Sequence, residues 1–331
     1  MNYQSAKTAS GYWSNKFKYF ISLWFIVIAV GIDKPLQGCT SFCIKEGKHL
    51  LLAKNLDWPI NDGLILINKR GLKKTAYIQD SNKLVWTSRY GSITFNQFGK
   101  EFPLGGMNEK GLVIEELNSW GKIPDDDQAY RVNEFQWVQY CLDNFSTIGE
   151  IIALGDSILP KIMLVHLHYI ITDRNGNSLV VEHHGDKSRF IYGEDLPYPI
   201  LSNNHYQQSL NYIKNYKGFG GDLKVRSNSS GERFVKVASL LKAIEPHPQM
   251  KETAFSVLDS VSQDDTQWSI VYDIGHKTIH FRTAGDQKMK SIRLDRFDFS
   301  CKTPVLYADV NAKATSCGRA MTISCYAGVV N

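Results

Sequence analysis

The residues best equipped for chemistry begin at Gly38-Cys39-Thr40-Ser41-Phe42-Cys43, directly behind a short basic and apolar leader. An internal cysteine offers only a thiol. A cysteine left at a new N-terminus also offers an α-amine within reach of its own sulfur. With reference pKa values of about 7.7–8.0 for the amine and about 8.5 for the thiol, the two share a proton near neutral pH, and the thiolate is the competent nucleophile. Such a residue attacks an amide carbonyl, passes its proton to the leaving amine and leaves a thioester for water to hydrolyse, with no histidine required. That mechanism needs no metal and no organic cofactor.

The leader, 1–38, carries Lys7, Lys16 and Lys18, then the apolar run Tyr19–Ile32, then a polar break at Asp33-Lys34-Pro35. The run has the length of a secretory signal core and is shorter than the roughly 20 residues that span a bilayer. It predicts an exported protein, periplasmic or secreted, that meets the membrane only through the leader before cleavage; an uncleaved anchor is the alternative. Of the net charge of +5, the leader supplies +3, so the rest of the chain gives no electrostatic case for a nucleic-acid partner. The six cysteines, 39, 43, 141, 301, 317 and 325, follow no paired C-x-x-C spacing and predict no zinc site. Cys141, inside FQWVQYCLDNF, reads as a small buried hydrophobe.

Thr40–Ile44, His49–Ala53 and Leu64–Asn68 read as strands, with Asp57 closing the second, and Trp86–Phe95 as another strand or hairpin arm. The cluster Lys69–Lys74 reads as a solvated turn, Gly105–Gly111 as a turn feeding the strand Leu112–Leu117, which stops at Asn118, and Asp125–Asp127 as a solvated loop without the ligand spacing of a calcium site. Helices are predicted over Asn133–Asp143, Ser146–Leu154 with Ser146 as N-cap, Tyr206–Tyr216, Glu232–Ile244 and Glu252–Val261. HLHYIITD and SLVVEHH joined through Asn175-Gly176, and TQWSIVYD and TIHFRT joined through Gly275, read as hairpins. Many antiparallel strands with helices grouped between them predict an α+β sandwich and one domain over 39–311, followed by a tail, 312–331, of unknown role.

Taken in order, Cys39-Thr40-Ser41-Phe42, Lys54-Asn55-Leu56-Asp57-Trp58, Gly106-Met107-Asn108-Glu109-Lys110-Gly111-Leu112, Ser202-Asn203-Asn204, Gly231-Glu232-Arg233-Phe234-Val235-Lys236 and Thr266-Gln267-Trp268-Ser269 resemble the choloylglycine hydrolase and penicillin V acylase family of linear-amide hydrolases. These are N-terminal-nucleophile hydrolases, and the resemblance runs from Cys39 to about Asn311. It implies a four-layer αββα sandwich of two antiparallel sheets. It also implies that Cys39 is the nucleophile, Asp57 the carboxylate holding its amine, Asn118 and Asn203 the oxyanion donors, and Arg233 a support for the nucleophile and substrate end. Lys54 stands where the family carries an arginine, which keeps the charge and loses the bidentate fork, so specificity for bile salts or penicillins does not transfer unchanged. The implied substrates are small amides: conjugated bile salts, phenoxyacetyl-type penicillins and N-acyl homoserine lactones. Many members form homo-tetramers, whose interfaces this sequence does not display.

Two other readings compete. Leu36-Gln37-Gly38-Cys39 also resembles a lipoprotein cleavage box, which would lipidate Cys39, remove its free amine and leave an envelope-anchored binding protein. A Cys–His hydrolase would instead recruit one of the nine histidines, with His183, His184 or His205 as candidates; His166 and His168 share one strand face and read as structural.

Overall fold

The computed structural model describes residues 38–312 and the backbone of 324–326. The leader expected over 1–38 therefore lies outside the described residues except for Gly38, and the tail expected over 312–331 does so except for Ala312 and that three-residue stretch.

The chain enters the fold through β1 (Thr40–Glu46), which turns back into β2 (His49–Asp57). Consecutive residues of both strands, Thr40–Ile44 and Leu51–Asp57, are buried, so neither face meets water even where the residues are polar, as at Thr40, Ser41, Lys54, Asn55 and Asp57. There follow β3 (Leu64–Asn68), β4 (Lys73–Thr75), β5 (Val85–Thr87), β6 (Ser92–Asn96), β7 (Pro103–Asn108), β8 (Val113–Asn118) and β9 (Tyr130–Asn133). Next come α1 (Glu134–Asn144), α2 (Ile148–Leu154), β10 (Ile158–Lys161), β11 (Leu167–Thr172), β12 (Ser178–Glu182), β13 (Arg189–Tyr192) and β14 (Ile200–Leu201). The helices α3 (Tyr206–Ile213), α4 (Ser230–Lys242) and α5 (Met250–Ser260) form one run. The chain closes with β15 (Thr266–Asp273), β16 (Thr278–Thr283), β17 (Asp286–Arg293), β18 (Val305–Asp309) and β19 (Ser324–Tyr326).

Two large antiparallel sheets result, one of six strands in the order β14-β1-β2-β15-β16-β17 and one of nine in the order β13-β12-β11-β8-β7-β6-β3-β18-β19. α4 and α5 cover the first through β1, β14, β2 and β15, α1 covers the second through β7 and β8, and β1 meets β11 between the sheets. This is the expected αββα sandwich. α5 shows how a layer is attached: Met250, Ala254, Phe255, Val257 and Leu258 bury one stripe of an otherwise polar helix. Both expected hairpins form, as β11–β12 and β15–β16. Within the tail, β19 pairs antiparallel with β18 at the edge of the larger sheet.

Four expectations need correction. Trp86–Phe95 is not one strand but two, β5 and β6, interrupted where the backbone N–H groups of Arg89 and Tyr90 both donate to the carbonyl of Asp143. Gly105–Asn108 belongs to β7, and the turn begins only at Glu109; Gly105 is needed because a Cβ there would lie 2.3 Å from the Glu115 carboxylate paired across from it. The Lys69–Lys74 cluster is not wholly solvated, since Lys69 and Lys74 are buried. Lys69 donates to Thr303 Oγ1 at 2.9 Å and to the Asp298 carbonyl. Lys74 Nζ lies 2.9 Å from Asp143 Oδ2, a carboxylate that also accepts from Trp86 Nε1 at 2.7 Å and Gln139 Nε2 at 2.9 Å. Composition predicts a charge run to be exposed; partners distant in the chain reverse that. α2 also takes Thr147 rather than Ser146 as its N-cap, in a capping box with Glu150.

Replacing the cation alone, Lys74→Met, leaves the Asp143 carboxyl buried without its cationic partner. The expected loss is about 3–5 kcal/mol in urea denaturation, most of it recovered in the double variant Lys74→Met/Asp143→Leu.

Candidate active site

Strand parity decides what faces the Cys39 thiol. Ser41 pairs with Lys54 and Thr40 with Asn55. Asn55 reaches outward to the carbonyl of Leu258 on α5 at 2.8 Å, so Thr40 faces the helices; Cys39, of opposite parity, faces the second sheet with Ser41 and Lys54. Asp57 closes β2 two residues beyond Asn55, and both its charge and its backbone act on the Cys39 thiol. Cys39 is 4% exposed. Burial pushes its thiol up to about 12, with Lys54 opposing and Glu116 and Asp57 adding to the rise. At neutral pH the thiol of the intact chain is therefore protonated and needs a base.

Arg233, in the first turns of α4, fixes the surroundings of Cys39 from the helical side. Ser229 caps α4, so the helix begins at Ser230, two residues earlier than expected. The buried guanidinium donates through Nε to Thr40 Oγ1 at 2.9 Å and through Nη1 to the Asn228 carbonyl at 3.0 Å. Nη2 donates to the Cys39 carbonyl at 3.3 Å and to Asn203 Oδ1 at 2.8 Å. With Oδ1 so engaged, Asn203 Nδ2 donates one hydrogen to the Asn118 carbonyl at 2.9 Å and keeps a second for another acceptor. The segment holding Asn203 is itself pinned: Asn204 N donates to Ser230 Oγ at 2.9 Å, and that hydroxyl lies 3.1 Å from Ser202 Oγ. Gly38 packs directly on Asn203, since a Cβ at Gly38 would lie 1.9 Å from Oδ1.

Asp57 is 1% exposed. A bulge in β15 between Thr266 and Trp268 turns Thr266 toward it, and Thr266 Oγ1 donates to Asp57 Oδ1 at 2.5 Å. Asp57 Oδ2 is buried and, among the described residues, has no hydrogen-bond donor. Burial raises the Asp57 carboxyl to about 7 against the opposing pull of Thr266 and Arg233. Lys54, also 1% exposed, donates to the Glu116 carbonyl at 2.6 Å and forms ion pairs with Glu115 Oε2 at 3.0 Å and Glu116 Oε1 at 3.3 Å. Burial opposes its charge, but the two glutamates outweigh burial and raise its pKa. Tyr272 donates its hydroxyl hydrogen to Glu115 Oε1.

Cys39, Asp57, Asn118, Asn203, Arg233 and Lys54 thus converge from five separate stretches of chain, Lys54 and Asp57 both coming from β2. Asn118 enters by its backbone carbonyl. The histidines do not join them: the charges acting most on the thiol are Lys54, Glu116 and Asp57. His183 Nδ1 instead meets Ser188 Oγ at 2.6 Å, and His184 and His205 cluster on Glu182. Sequence reasoning did not assign Glu115, Glu116, Thr266 or Tyr272 to the site. Thr266 opens one of the motifs already noted, yet its contact with Asp57 depends on the bulge.

A two-sheet αββα sandwich is the fold of the N-terminal-nucleophile hydrolases. A profile of the linear amide C–N hydrolases, choloylglycine hydrolase family, matches residues 39–307, and the chain belongs to that family. It is therefore a hydrolase of carbon–nitrogen bonds in linear amides other than peptides. The penicillin V acylase of Pectobacterium atrosepticum is 24% identical over 310 residues, covering 78% of this chain and 81% of that protein. The bile salt hydrolase/transferase of Clostridium perfringens is 29% identical over 167 residues, 45% of this chain and 49% of that protein. Among solved structures, the penicillin V acylase of Agrobacterium tumefaciens superposes with a TM-score of 0.72 at 25% identity, over 82% of this chain and 91% of that one. A conjugated bile acid hydrolase from Clostridium perfringens shares the fold, with a TM-score of 0.64 at 19% identity over 79% of this chain and 94% of that one.

The raised Asp57 pKa has a definite sign for stability. The folded, uncleaved chain keeps this proton up to about pH 7, whereas the unfolded chain releases it near 3.8. Stability therefore falls as pH rises between these values and levels off above them, by at most about 4 kcal/mol for this group. Asp57→Asn is expected to remove one proton's worth of this slope in chemical denaturation of the uncleaved chain from pH 4 to 7; an unchanged slope would show that Asp57 is already ionised.

Proposed function

We propose that the chain is matured at Cys39 and hydrolyses N-acyl amides with that cysteine as both nucleophile and base carrier. The observation that carries this reading is Asp57 Oδ2, a buried carboxylate oxygen that lacks a donor among the described residues, on a side chain whose charge acts on the Cys39 thiol. Cleavage of the Gly38–Cys39 peptide creates an amine able to donate to it. Paired with the ammonium form, Asp57 would be ionised in the mature enzyme, because an adjacent cation favours the carboxylate.

The reaction then balances. The α-amine accepts the thiol proton as sulfur attacks the substrate carbonyl, and the tetrahedral oxyanion takes the remaining Asn203 N–H and a donor at Asn118. Collapse breaks the carbon–nitrogen bond, the ammonium returns its proton to the departing amine, and a thioester remains on Cys39. Water, deprotonated by the same amine, releases the carboxylic acid and restores the thiol. Arg233 holds Cys39 and Asn203 in register through the contacts on its Nη2.

For substrate class, an acylated small molecule of the penicillin V or N-acyl homoserine lactone type is favoured over a conjugated bile salt. Trp120, 46% exposed and two residues beyond Asn118, offers an aromatic face to an acyl group, and the relative matched over most of its length is a penicillin V acylase. Lys54, the family's arginine position, is closed off beneath the thiol and touches Glu115 and Glu116 rather than solvent. Export through the leader, to the periplasm or beyond, accompanies this reading. Lipidation of Cys39 is disfavoured on packing grounds, because a buried sulfur facing the second sheet leaves no room for a diacylglyceryl group.

The test is a panel of phenoxyacetyl, fatty-acyl and cholyl amides, together with the mass of the mature N-terminus. Expected are a chain beginning at an unmodified Cys39, turnover abolished by Cys39→Ala, and kcat lowered about 10²–10³-fold by Asn203→Ala. A lipidated Cys39, or full activity in Cys39→Ala, would sink the mechanism.

A further inference from the structure

Beyond the amidase centre, Glu182, His184 and His205 bring one carboxylate oxygen and one nitrogen from each imidazole within 4.8 Å of one another. Glu182 closes β12 and His184 follows two residues later, so an extended backbone turns both to one side. His205 arrives from the N-cap position of α3. Glu182 is 1% exposed and His205 8%. Glu182 Oε2, His184 Nε2 and His205 Nδ1 are all buried, and among the described residues none has a hydrogen-bond partner. The separations between partners are 3.5 Å for His184 Nε2 to Glu182 Oε2 and 3.5 Å for His205 Nδ1 to Glu182 Oε1.

Such separations are long for hydrogen bonds and leave these buried polar atoms poorly satisfied by one another. They are close to what a shared ion requires: ligand atoms about 2.0–2.1 Å from a tetrahedral zinc are about 3.3 Å from each other. We propose that Glu182, His184 and His205 form a binding site for a divalent transition-metal ion of the zinc type. Two imidazoles and one carboxylate select such an ion over calcium or magnesium, which prefer all-oxygen shells. The fourth position falls to water.

The surroundings support the ligands as such sites demand. Tyr206 N donates to Glu182 Oε1 at 2.7 Å and fixes the carboxylate, while His168 Nδ1 lies 3.6 Å from the same oxygen. The His184 and His205 rings stack at 4.1 Å, and Trp120 abuts His205 edge-on at 5.0 Å. The His184 side chain remains 20% exposed, which gives an ion a way in. Gly121, at φ +126°, lets the loop after Asn118 approach so closely that a Cβ would stand 2.8 Å from His184 Cβ. A bound ion would tie the end of β12 to the start of α3, with His205 two residues from Asn203.

The test uses the full chain carrying Cys39→Ala, which removes the other thiol–amine chelate, and zinc ions alone after chelator treatment. One equivalent of zinc by equilibrium dialysis, a raised melting temperature, and the intense visible absorption of four-coordinate cobalt(II) are expected. His184→Gln and His205→Asn should each weaken binding at least about tenfold and abolish the cobalt spectrum. No zinc uptake by the Cys39→Ala chain, or uptake unweakened in both variants, would overturn the proposal.

Discussion

The site depends on one buried guanidinium. Arg233 spends its donors on the hydroxyl of Thr40, the carbonyls of Cys39 and Asn228, and the side-chain oxygen of Asn203. Those acceptors come from the start of β1, the approach to α4 and the segment after β14, so the helical layer and the six-stranded sheet must be docked before the fork is satisfied. A lysine could offer charge there but not a planar set of donors. The same constraint orients the Asn203 amide: with its oxygen taken by Arg233, its nitrogen faces the Asn118 carbonyl.

A second buried cation, Lys54, does a different job. It sits between the sheets and compensates Glu115 and Glu116 of β8, while Tyr272 supports Glu115 from β15. Gly105 opens the space for that carboxylate on the neighbouring strand. Charges on both sides of β1 and β2 thus lie in a dry interior, where each interaction is stronger than in water and each missing partner costs more. That is why Asp57, with Thr266 on one oxygen and no donor to the other among the described residues, holds its proton to about 7 in the intact chain.

Much of this was legible in the chain order. The hairpins with Asn175-Gly176 and Gly275, the short apolar stretches within β1 and β2, and the amphipathic α5 follow from local periodicity and turn chemistry. The burial of Lys69 and Lys74 has no local signature, because a charge run carries no mark of a partner elsewhere in the chain: Asp143 lies 69 residues beyond Lys74. The bulge that aims Thr266 at Asp57, and the meeting of Glu182 and His184 with His205, have no local signature either.

By itself the sequence determined the residue types on hand: a cysteine behind an apolar leader, an aspartate ending a strand, asparagines ending others, and an arginine early in a helix. Periodicity also set the fold class, because apolar spacing is a local property that the backbone obeys wherever the strand ends up. Only the tertiary structure decided which of these groups meet, which cations are buried, and which carboxylate oxygens lack a donor. The reason is that pairing register, layer docking and burial depend on contacts between distant segments, and the electrostatics of a buried group is set by those neighbours rather than by its own position in the chain.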